Sequence, residues 1–484
     1  MLNPPFLPNY VRCGRWQGVC AHGKTLWYPI WLSYACGLLE QHNNEVRLID
    51  CIVRKWNITD VIDDIEKFKP GLVIIDSNFS SLTTDIATAK KIKDAFDGIK
   101  TVIVGQPAAQ FSGMILKSKG VDIVARMEYD LTLCEIAQSI EESRGFESIR
   151  GISYKINADI IHNPDRKFLT SQELDDIPFV SKIYKKHLNV HDYYLDHTLY
   201  PMIQIFCGRG CPAKCTFCSW PKNLMGNKYR VRSVKNIVNE LEWIKQNLPE
   251  VKEIFLEDDT FTFNNKRVNA IADEIIARRL DIVWSCNARA TLDYATMKRM
   301  KDSGCRLVVV GYESGNDEIL KNIKKGITTV QSIQFAADAR KAKLLVLGDF
   351  IFGLPGESKE TIGETKKFIN KYIKPDFLQI AIASPIPGTD FYNWAKEGGF
   401  LLTDDMSNSI DENGFIKCIV TYPNLSNEDI WRYTFKVKKE YYLSVRYLLI
   451  LLKRIFSKNC LHELKMFLAS AKNYFKYVVK NNAK

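Results

Sequence analysis

The sequence predicts an α/β protein made of two α/β units and a helical C-terminal region. Short β-rich runs alternate with helical patterns over residues 45–142, and six further βα units lie within residues 197–400. From about residue 430 the chain becomes one long helical, aromatic and basic segment. Strands that alternate with helices form parallel sheets with right-handed crossovers. We therefore divide the chain into regions 1–145, 146–196, 197–400 and 401–484.

The first region is predicted to hold a doubly wound parallel sheet with a ligand site at one edge. Its expected strands are 46–49, 72–75, 101–104 and 121–124. Residues 83–96 have the apolar spacing of a helix. Parallel sheets bind ligands beyond the carboxyl ends of their strands, where small polar residues follow here. The candidate cofactor-binding residues at these ends are Ser77, Ser80, Gly105 and Glu128. Tight turns before helices are the alternative explanation of these residues.

Region 146–196 is predicted to be a linker that contains a β-hairpin. Residues 152–155 and 159–162 are β-rich and flank the triplet Ile156-Asn157-Ala158, which is typical of a turn. A polar, proline-containing segment rich in Asp, Lys and Tyr follows and leads to the second unit.

The second unit is predicted to be a partial (β/α)6 barrel. Its expected strands are 203–206, 253–256, 283–285, 307–310, 345–352 and 378–382. Helical patterns such as 234–246 and 266–278 separate them. Barrels of this kind place their chemistry at the carboxyl ends of the strands, so we expect the site there.

The net charge of +11 is concentrated at the C-terminal end. Residues 436–484 contain 12 Lys and Arg against 2 Asp and Glu, whereas residues 1–435 contain 55 against 54. A nucleic-acid-binding protein would spread a basic face over its domains, so nucleic acid is not an expected partner. The N-terminal residues lack a signal-peptide pattern, and no apolar stretch reaches the roughly 18 residues that span a bilayer. The expected location is the cytoplasm.

Three cysteines in one loop form the strongest motif of the sequence. Cys211, Cys215 and Cys218 have the spacing C-x3-C-x2-C and follow a predicted strand. Three thiolates on one loop can bind three irons of a [4Fe–4S] cluster, which leaves the fourth iron open to a substrate or cosubstrate. The alternative is structural zinc with Cys207 as fourth ligand. Such sites usually pair two cysteine knuckles, and the sequence has no second knuckle.

With this motif the chain resembles the radical S-adenosylmethionine (SAM) enzymes, whose signature has an aromatic residue before the last cysteine, here Phe217. Residues 1–145 resemble the cobalamin-binding domain that precedes the barrel in one large branch of these enzymes. Further matching motifs are Tyr229–Ser233, Glu257–Thr262, Trp284–Arg289, Gly311–Gly315 and Gly353–Glu357. The resemblance implies a Rossmann-like cobalamin-binding domain, a partial (β/α)6 radical SAM barrel and a helical C-terminal tail.

By this resemblance the open iron chelates the amino and carboxylate groups of SAM. An electron donor such as flavodoxin or ferredoxin then drives its cleavage to a 5′-deoxyadenosyl radical. The implied cofactor-binding residues of the barrel are Phe217, Arg289, Gly311, Glu313 and Ser314, and the implied catalytic residues are Glu313, Asp259 and Asp258. Glu313 would accept hydrogen bonds from the SAM ammonium, and Arg289 would pair with its carboxylate or a neighbouring anion. Turn chemistry for the two aspartates and a structural salt bridge for Glu313 are the alternatives.

Two departures from the family pattern concern cobalamin. The chain opens at Met1-Leu2-Asn3-Pro4-Pro5, so the first strand is expected to be short or to start inside the usual strand of the family. Residues 105–109 read Gly-Gln-Pro-Ala-Ala, where many relatives have Gly-Gly-x-His-Ala, and the motif D-x-H-x-x-G is missing. We therefore expect the domain either to bind cobalamin in the base-off form, without a histidine ligand, or to keep only the fold.

A narrower resemblance concerns the substrate. Residues 27–29, 162–166, 177–180 and 310–325 resemble hopanoid-biosynthesis members of this branch, which contract a hopanoid-linked aminosugar ring to a cyclitol ether. The first hypothesis is therefore ring contraction of the sugar head group of a lipid-linked or other large small-molecule substrate. The second is a cobalamin-dependent radical SAM methyltransferase. The third is a zinc-stabilised, membrane-associated binding module without enzyme activity.

The segment 441–456 is the most apolar stretch of the chain, with aromatic and Leu residues interleaved with Lys and Arg. Arg446 and Lys453 enclose only six uncharged residues, too few to span a bilayer. The pattern favours a helix that lies in the headgroup region of an anionic membrane, which would place the protein at the inner face of that membrane. A helix packed on the barrel with a solvated basic face is the alternative.

Overall fold

The computed structural model describes residues 1–12, 18–20 and 25–455, the last five of them by their backbone alone. The N-terminal strands are β1 (Leu2–Asn3), β2 (Tyr10–Val11), β3 (Val19–Cys20), β4 (Ile49–Asp50), β5 (Leu72–Ser77), β6 (Lys100–Gly105), β7 (Ile123–Ala125), β8 (Ile152–Ile156) and β9 (Asp159–His162). A seven-stranded sheet has the order β4-β1-β5-β6-β7-β8-β9, and β2 pairs with β3. The first five strands of that order are parallel, as predicted. The two-residue β1 lies between β4 and β5.

The predicted hairpin is present and extends this first sheet. β8 pairs antiparallel with β7, and β9 pairs antiparallel with β8 around a turn that holds Asn157 at φ 55°. Asparagine tolerates this left-handed backbone better than most residues. The two strands that the sequence placed in the linker are therefore part of the N-terminal sheet.

The helices of the N-terminal half are α1 (Ile30–Gln41), α2 (Cys51–Arg54), α3 (Ile58–Phe68), α4 (Leu82–Ala95), α5 (Pro107–Leu116), α6 (Asp130–Glu141), α7 (Ser171–Asp176) and α8 (Val180–His187). α1 is apolar on every side, and its residues from Ile30 to Leu39 are all buried. A helix of this kind belongs in the interior of a protein. Its Trp31 ring lies 5.1 Å from the ring of Phe206 and 5.8 Å from that of Trp220, so α1 packs against the second half.

The second half contains the predicted partial barrel. Its strands are β10 (Met202–Ile205), β11 (Gly208–Arg209), β12 (Arg230–Val231), β13 (Glu253–Leu256), β14 (Trp284–Ala288), β15 (Cys305–Glu313), β16 (Leu345–Phe352) and β17 (Phe377–Ile382). Six of them form one sheet in the order β10-β13-β14-β15-β16-β17, and every pairing in it is parallel. β15 is longer than the sequence predicts, which makes Glu313 its last residue.

The helices of the second half are α9 (Val234–Asn247), α10 (Asn265–Ala277), α11 (Tyr294–Asp302), α12 (Asp317–Asn322), α13 (Thr329–Lys341), α14 (Lys359–Phe368), α15 (Asp390–Glu397), α16 (Asn427–Tyr442) and α17 (Val445–Ile455). α9 and α10 agree with the predicted helices to within one residue. A π-helical turn, Pro221–Met225, follows the cysteine loop.

The beginning of the apolar C-terminal stretch packs on the barrel. The Tyr442 hydroxyl donates to the Leu378 carbonyl at 2.6 Å, and the buried Tyr441 donates to the carbonyl of Pro375. On α17, Val445, Leu448 and Leu449 are 75%, 45% and 55% exposed. The barrel-packing alternative therefore holds for the start of this stretch, while α17 keeps exposed apolar residues. Within the part of the chain that the structure describes, we find no helix with the length and apolarity that a membrane crossing needs.

Candidate active site

The cysteine loop starts directly after β10 and folds back through the short β11–β12 pair. Gly210 in this loop has φ 90°, and a Cβ atom there would lie 2.2 Å from the Lys228 carbonyl oxygen. Only glycine fits such a position. The loop thereby places Cys211, Cys215 and Cys218 at the carboxyl end of the barrel strands, as predicted.

The thiol of Cys211 and the positions of its neighbouring cysteines bear on which metal the loop could hold. Burial, together with the nearby Asp259 carboxylate, raises the pKa of Cys211 to about 11, so its thiol needs a bound cation to ionise at neutral pH. Sulfur ligands of tetrahedral zinc lie about 3.8 Å apart. Among the described residues, Cys207, Cys211, Cys215 and Cys218 do not bring three ligand atoms within 4.8 Å of one another.

Asp258 and Asp259 follow β13 and differ in their surroundings. Asp258 is fully buried: its Oδ1 accepts from the Cys207 backbone N–H at 2.6 Å and its Oδ2 from the Tyr229 hydroxyl at 2.6 Å. Burial raises its pKa, and the Arg267 guanidinium opposes that shift. Asp258 thus supports the start of the cysteine loop. Asp259 is half-buried, and its charge acts on Cys211, so it lies beside a predicted iron ligand.

Glu313 lies at a register shift between β15 and β16, with φ 65° and 3% exposure. Its Oε1 accepts from Lys325 Nζ at 2.6 Å. Its Oε2 is buried and has no hydrogen-bond partner among the residues described. Buried carboxylate oxygens are nearly always bonded, so this atom is suited to accept from a ligand. The residues present therefore fit an ammonium group such as that of SAM.

Gly311 and Ser314 flank this carboxylate. A Cβ atom on Gly311 would lie 2.3 Å from Glu313 Oε1 and 2.9 Å from Lys325 Nζ, so glycine leaves room for the ion pair. Ser314 is buried, and its Oγ accepts from the Asn316 backbone N–H at 3.2 Å. Ser314 thus secures the turn after β15.

Arg289 follows β14 and belongs to the same group. Its backbone N–H donates to Thr262 Oγ1 at 3.0 Å, and its guanidinium donates to the Lys325 carbonyl at 2.7 Å. Lys325 therefore touches both Glu313 and Arg289. The sequence reasoning missed this lysine, although it ends the quoted run 310–325. Phe217 is 8% exposed and packs in the main apolar core beneath the loop.

Three of the predicted cofactor-binding residues lie at the carboxyl edge of the first sheet. Two of them contact other side chains of the protein, and the third is a glycine required by the backbone conformation. Ser77 Oγ donates to Asp85 at 2.8 Å, and Ser80 Oγ lies 3.3 Å from Ser409 Oγ. Gly105 has φ 100°, and a Cβ atom there would lie 2.2 Å from the Ser77 carbonyl oxygen. Gly105 therefore allows a close approach that another residue would block.

Glu128 lies in a buried ion network with the cysteine loop. Its Oε1 accepts from Arg209 at 2.8 Å and its Oε2 from Arg230 at 2.7 Å, while Asp130 accepts from Arg209 at 2.7 Å. Arg209 stands between Cys207 and Cys211 in the sequence. Glu128 thus ties the first sheet to the cysteine loop.

The same edge of the first sheet faces the cysteine loop directly. Ser219, the residue after Cys218, donates to Gln106 Oε1 at 2.5 Å, and Gln110 donates to Asn223 Oδ1 at 2.9 Å. Between the two faces lies a cavity of only about 10 Å³. It is lined by Arg12, Trp31, Asp76, Ser77, Gly105, Gln106, Tyr129, Trp220 and Leu224.

A larger cavity, of about 440 Å³, opens at the opposite edge of the first sheet. Leu2, Val46, Leu72 and Ile140 are among its lining residues, which include none of the predicted site residues. We therefore place the candidate active site at the cysteine loop and not at this cavity.

Family models and a curated relative match both halves of the chain. Residues 205–369 match the radical SAM superfamily, and residues 16–137 match the B12 binding domain. An uncharacterized methyltransferase of Pyrococcus horikoshii is 33% identical over 378 residues, which cover 78% of this chain and 80% of the relative. The cytidylyl-2-hydroxyethylphosphonate methyltransferase of Streptomyces wedmorensis is 23% identical over 86% of each chain.

A solved structure supports the arrangement of the domains. The radical S-adenosylmethionine methyltransferase TsrM from Kitasatospora setae, solved with cobalamin and a [4Fe-4S] cluster bound, has a TM-score of 0.70. The alignment covers 93% of this chain and 97% of that chain at 15% identity, so the likeness is one of fold.

Proposed function

The chain belongs to the radical SAM superfamily, as an enzyme with an N-terminal B12-binding domain, and from this premise we propose that it is a cobalamin-dependent radical SAM methyltransferase. The 33% identical relative is itself described as a methyltransferase. Methyl transfer was the second hypothesis from the sequence, and it is now preferred to ring contraction.

The contact between Gln106 and Ser219 is the observation that carries the proposal. It joins the carboxyl edge of the B12-binding sheet to the residue after the last cluster cysteine at 2.5 Å. A methyl donor and a carbon radical react only when they are held close to each other in a suitable orientation. The Gln106–Ser219 contact supports the proposal because it would keep the two proposed cofactor-binding faces close together.

Different barrel residues would bind the cluster and the different polar groups of SAM. The thiolates of Cys211, Cys215 and Cys218 would hold three irons of the cluster. Glu313 Oε2 would accept from the SAM ammonium, and Arg289 would pair with its carboxylate. We assign Lys325 the role of positioning Glu313 through their 2.6 Å ion pair. When bound, the cluster supplies the electron that cleaves SAM, and cobalamin supplies the transferable methyl group.

The first sheet fits cobalamin in its residue types. Gly105 carries no side chain that would project from this edge of the sheet. The described histidines are residues 42, 162, 187, 191 and 197, and none of them directly follows β5, β6 or β7. Base-off binding without a histidine ligand stays part of the proposal. The cavity of about 10 Å³ is much smaller than a corrin ring. The residues of this edge that would hold the cofactor are Ser77, Gly105 and Gln106, which line that cavity.

Ring contraction of a hopanoid-linked sugar is a second candidate. It rests only on the resemblance of residues 27–29, 162–166, 177–180 and 310–325 to the hopanoid-biosynthesis members. The two reactions differ in their use of SAM. Methyl transfer uses the methyl group of SAM and releases S-adenosylhomocysteine. Ring contraction that starts with hydrogen abstraction leaves this methyl group on the methionine formed from SAM.

Product analysis separates the two candidates. The full chain is reconstituted anaerobically with iron, sulfide and hydroxocobalamin and incubated with SAM, a reductant and lipid-linked sugar substrates. We expect both S-adenosylhomocysteine and 5′-deoxyadenosine, and loss of 5′-deoxyadenosine in Cys215→Ala. Formation of 5′-deoxyadenosine without S-adenosylhomocysteine would contradict methyl transfer and favour ring contraction.

We also propose a cytoplasmic enzyme that works at the inner face of a membrane on a lipid-linked substrate and takes electrons from a flavodoxin or ferredoxin. The exposed Val445, Leu448 and Leu449 on α17 support the membrane part of this proposal. Apolar residues on one helix side, followed by Lys453 and Arg454, suit an anionic headgroup layer.

A further inference from the structure

A cluster of possible metal ligands lies between α1 and α8, apart from the cysteine loop. It consists of Cys36, Glu40 and His187. One ligand atom from each residue lies within 4.8 Å of the other two, and His187 Nε2 is 2.8 Å from Glu40 Oε1. The function proposed above gives these residues no role.

We propose that Cys36, Glu40 and His187 bind a zinc ion. A thiolate, an imidazole nitrogen and a carboxylate oxygen are the three side-chain ligands that zinc uses in proteins. Tetrahedral bonds of about 2.0–2.3 Å place neighbouring ligand atoms about 3.3–3.8 Å apart, so small side-chain movements complete the site. Cys36 and Glu40 are four residues apart on α1 and therefore share one helix face.

The surroundings allow an ion to enter. The Cys36 residue is fully buried, whereas the side chains of His187 and Glu40 are 9% and 18% exposed. Lys186 Nζ lies 2.6 Å from Glu40 Oε1, but this lysine side chain is 62% exposed and can move into solvent. Three protein ligands leave the fourth position to water.

A zinc ion here would connect two parts of the fold. α1 lies between the two halves of the molecule, and α8 belongs to the segment that leads into the barrel. The ion would therefore fix α1 against α8. The competing explanation is an ordinary ion-pair group of Glu40, Lys186 and His187, with Cys36 as a small apolar side chain.

Zinc content and coordination test the proposal. The full chain, with its cluster reconstituted first, is incubated with one equivalent of Zn²⁺ and desalted, and both metals are quantified. We expect one zinc per chain with unchanged iron. Zinc-edge X-ray absorption should show one sulfur at about 2.3 Å and nitrogen or oxygen ligands at about 2.0 Å. Three sulfur ligands would place zinc on the cluster cysteines and overturn the proposal.

Single substitutions test which side chains bind the zinc ion. Cys36→Ser and His187→Gln should weaken zinc binding at least about tenfold with unchanged iron content. Cys134→Ser, which removes another buried cysteine, should retain zinc. Lys186→Ala should raise zinc affinity, because it removes the competing cation. If Cys36→Ser does not fold, His187→Gln decides the question. Equal zinc retention in His187→Gln and the unmodified chain would leave only the ion-pair explanation.

Discussion

Arg209 of the cysteine loop donates at 2.8 Å to Glu128, which follows β7 of the first sheet, and these two side chains are 1% and 3% exposed. The same guanidinium reaches Asp130 and lies 4.9 Å from the centre of the Trp31 ring. A charge so deeply buried is stable only when it is paired. The cysteine loop and the sheet of the B12-binding domain therefore depend on one shared ion network.

Replacing Arg209 should destabilise the whole enzyme. Arg209→Met leaves the carboxylates of Glu128 and Asp130 buried without this partner, which costs about 3–5 kcal/mol. Anaerobic urea unfolding measures the loss, and iron content is expected to fall with it. Arg299→Met is the matched control, because it breaks a partly exposed pair with Asp273 and should cost less than about 1 kcal/mol. Similar losses in the two variants would contradict the role of the network.

Glu313→Gln should weaken SAM binding without loss of the cluster. A hydrogen bond from a charged donor contributes about 1.5–3 kcal/mol, so affinity should fall roughly 10- to 100-fold. Equilibrium dialysis of the iron-loaded protein against SAM measures this, with the exposed Glu318→Gln as control. Unchanged SAM affinity in Glu313→Gln would remove this residue from the SAM site.

Gly311→Ala should also weaken SAM binding, because the added methyl group would displace the Glu313 carboxylate. The added Cβ atom would lie 2.3 Å from Glu313 Oε1, at the end of a flexible side chain, so the carboxylate moves while the fold persists. Overpacking of this kind costs about 1–3 kcal/mol, and SAM affinity should fall together with stability. Gly71→Ala has open space around the new atom and should change neither. Normal SAM binding in Gly311→Ala would show that the position of Glu313 is unimportant.

Glu357 should make stability depend on pH. Burial raises its pKa from 4.5 to about 8, although the backbone N–H groups of Gly353 and Leu354 oppose the shift. Between these values the folded state keeps a proton that the unfolded chain has lost, so stability falls as pH rises, by up to about 1.4 kcal/mol per unit. Glu357→Gln should remove this part of the slope. Urea midpoints at pH 6 and pH 8 test it, and parallel profiles for the variant and the unmodified chain would refute it.

The exposed face of α17 should mediate membrane binding. Leu448→Glu with Leu449→Glu places two charges on this face without touching Tyr441 or Tyr442, which pack on the barrel. Flotation with anionic phospholipid vesicles should therefore show weaker binding and unchanged iron content. Leu402→Glu alters an exposed leucine elsewhere and should float normally. If the double variant floats as well as the unmodified chain, the membrane proposal fails.

Much of the fold could be predicted because its signals are local. Each barrel strand was expected within a few residues, and the α/β fold with a B12-binding and a radical SAM domain is confirmed. The three cysteines lie in a single loop, so their spacing could indicate a cluster-binding motif without knowledge of the tertiary structure. Glu313 lies at a strand end, as its motif predicts, and its role toward SAM stays a prediction.

Contacts between distant segments could not be predicted in this way. Glu128 was expected to bind a cofactor because it follows a strand, but its partners Arg209 and Arg230 lie 81 and 102 residues away in the chain. Lys325 follows α12 and meets Glu313, the last residue of β15, only through the folded path of the chain between them. The hairpin strands β8 and β9 were recognised, but their addition to the first sheet depends on pairing with β7.

The bridge from Glu128 to Arg209 has a consequence for the handling of this enzyme in air. Iron–sulfur clusters are destroyed when oxygen reaches them, and here the loop that would hold the cluster is covered by the first domain through Trp31, Gln106 and Glu128. Oxygen tolerance should therefore be a property of the joined domains. An isolated barrel would lose its iron fastest, and conditions that part the domains would begin that loss.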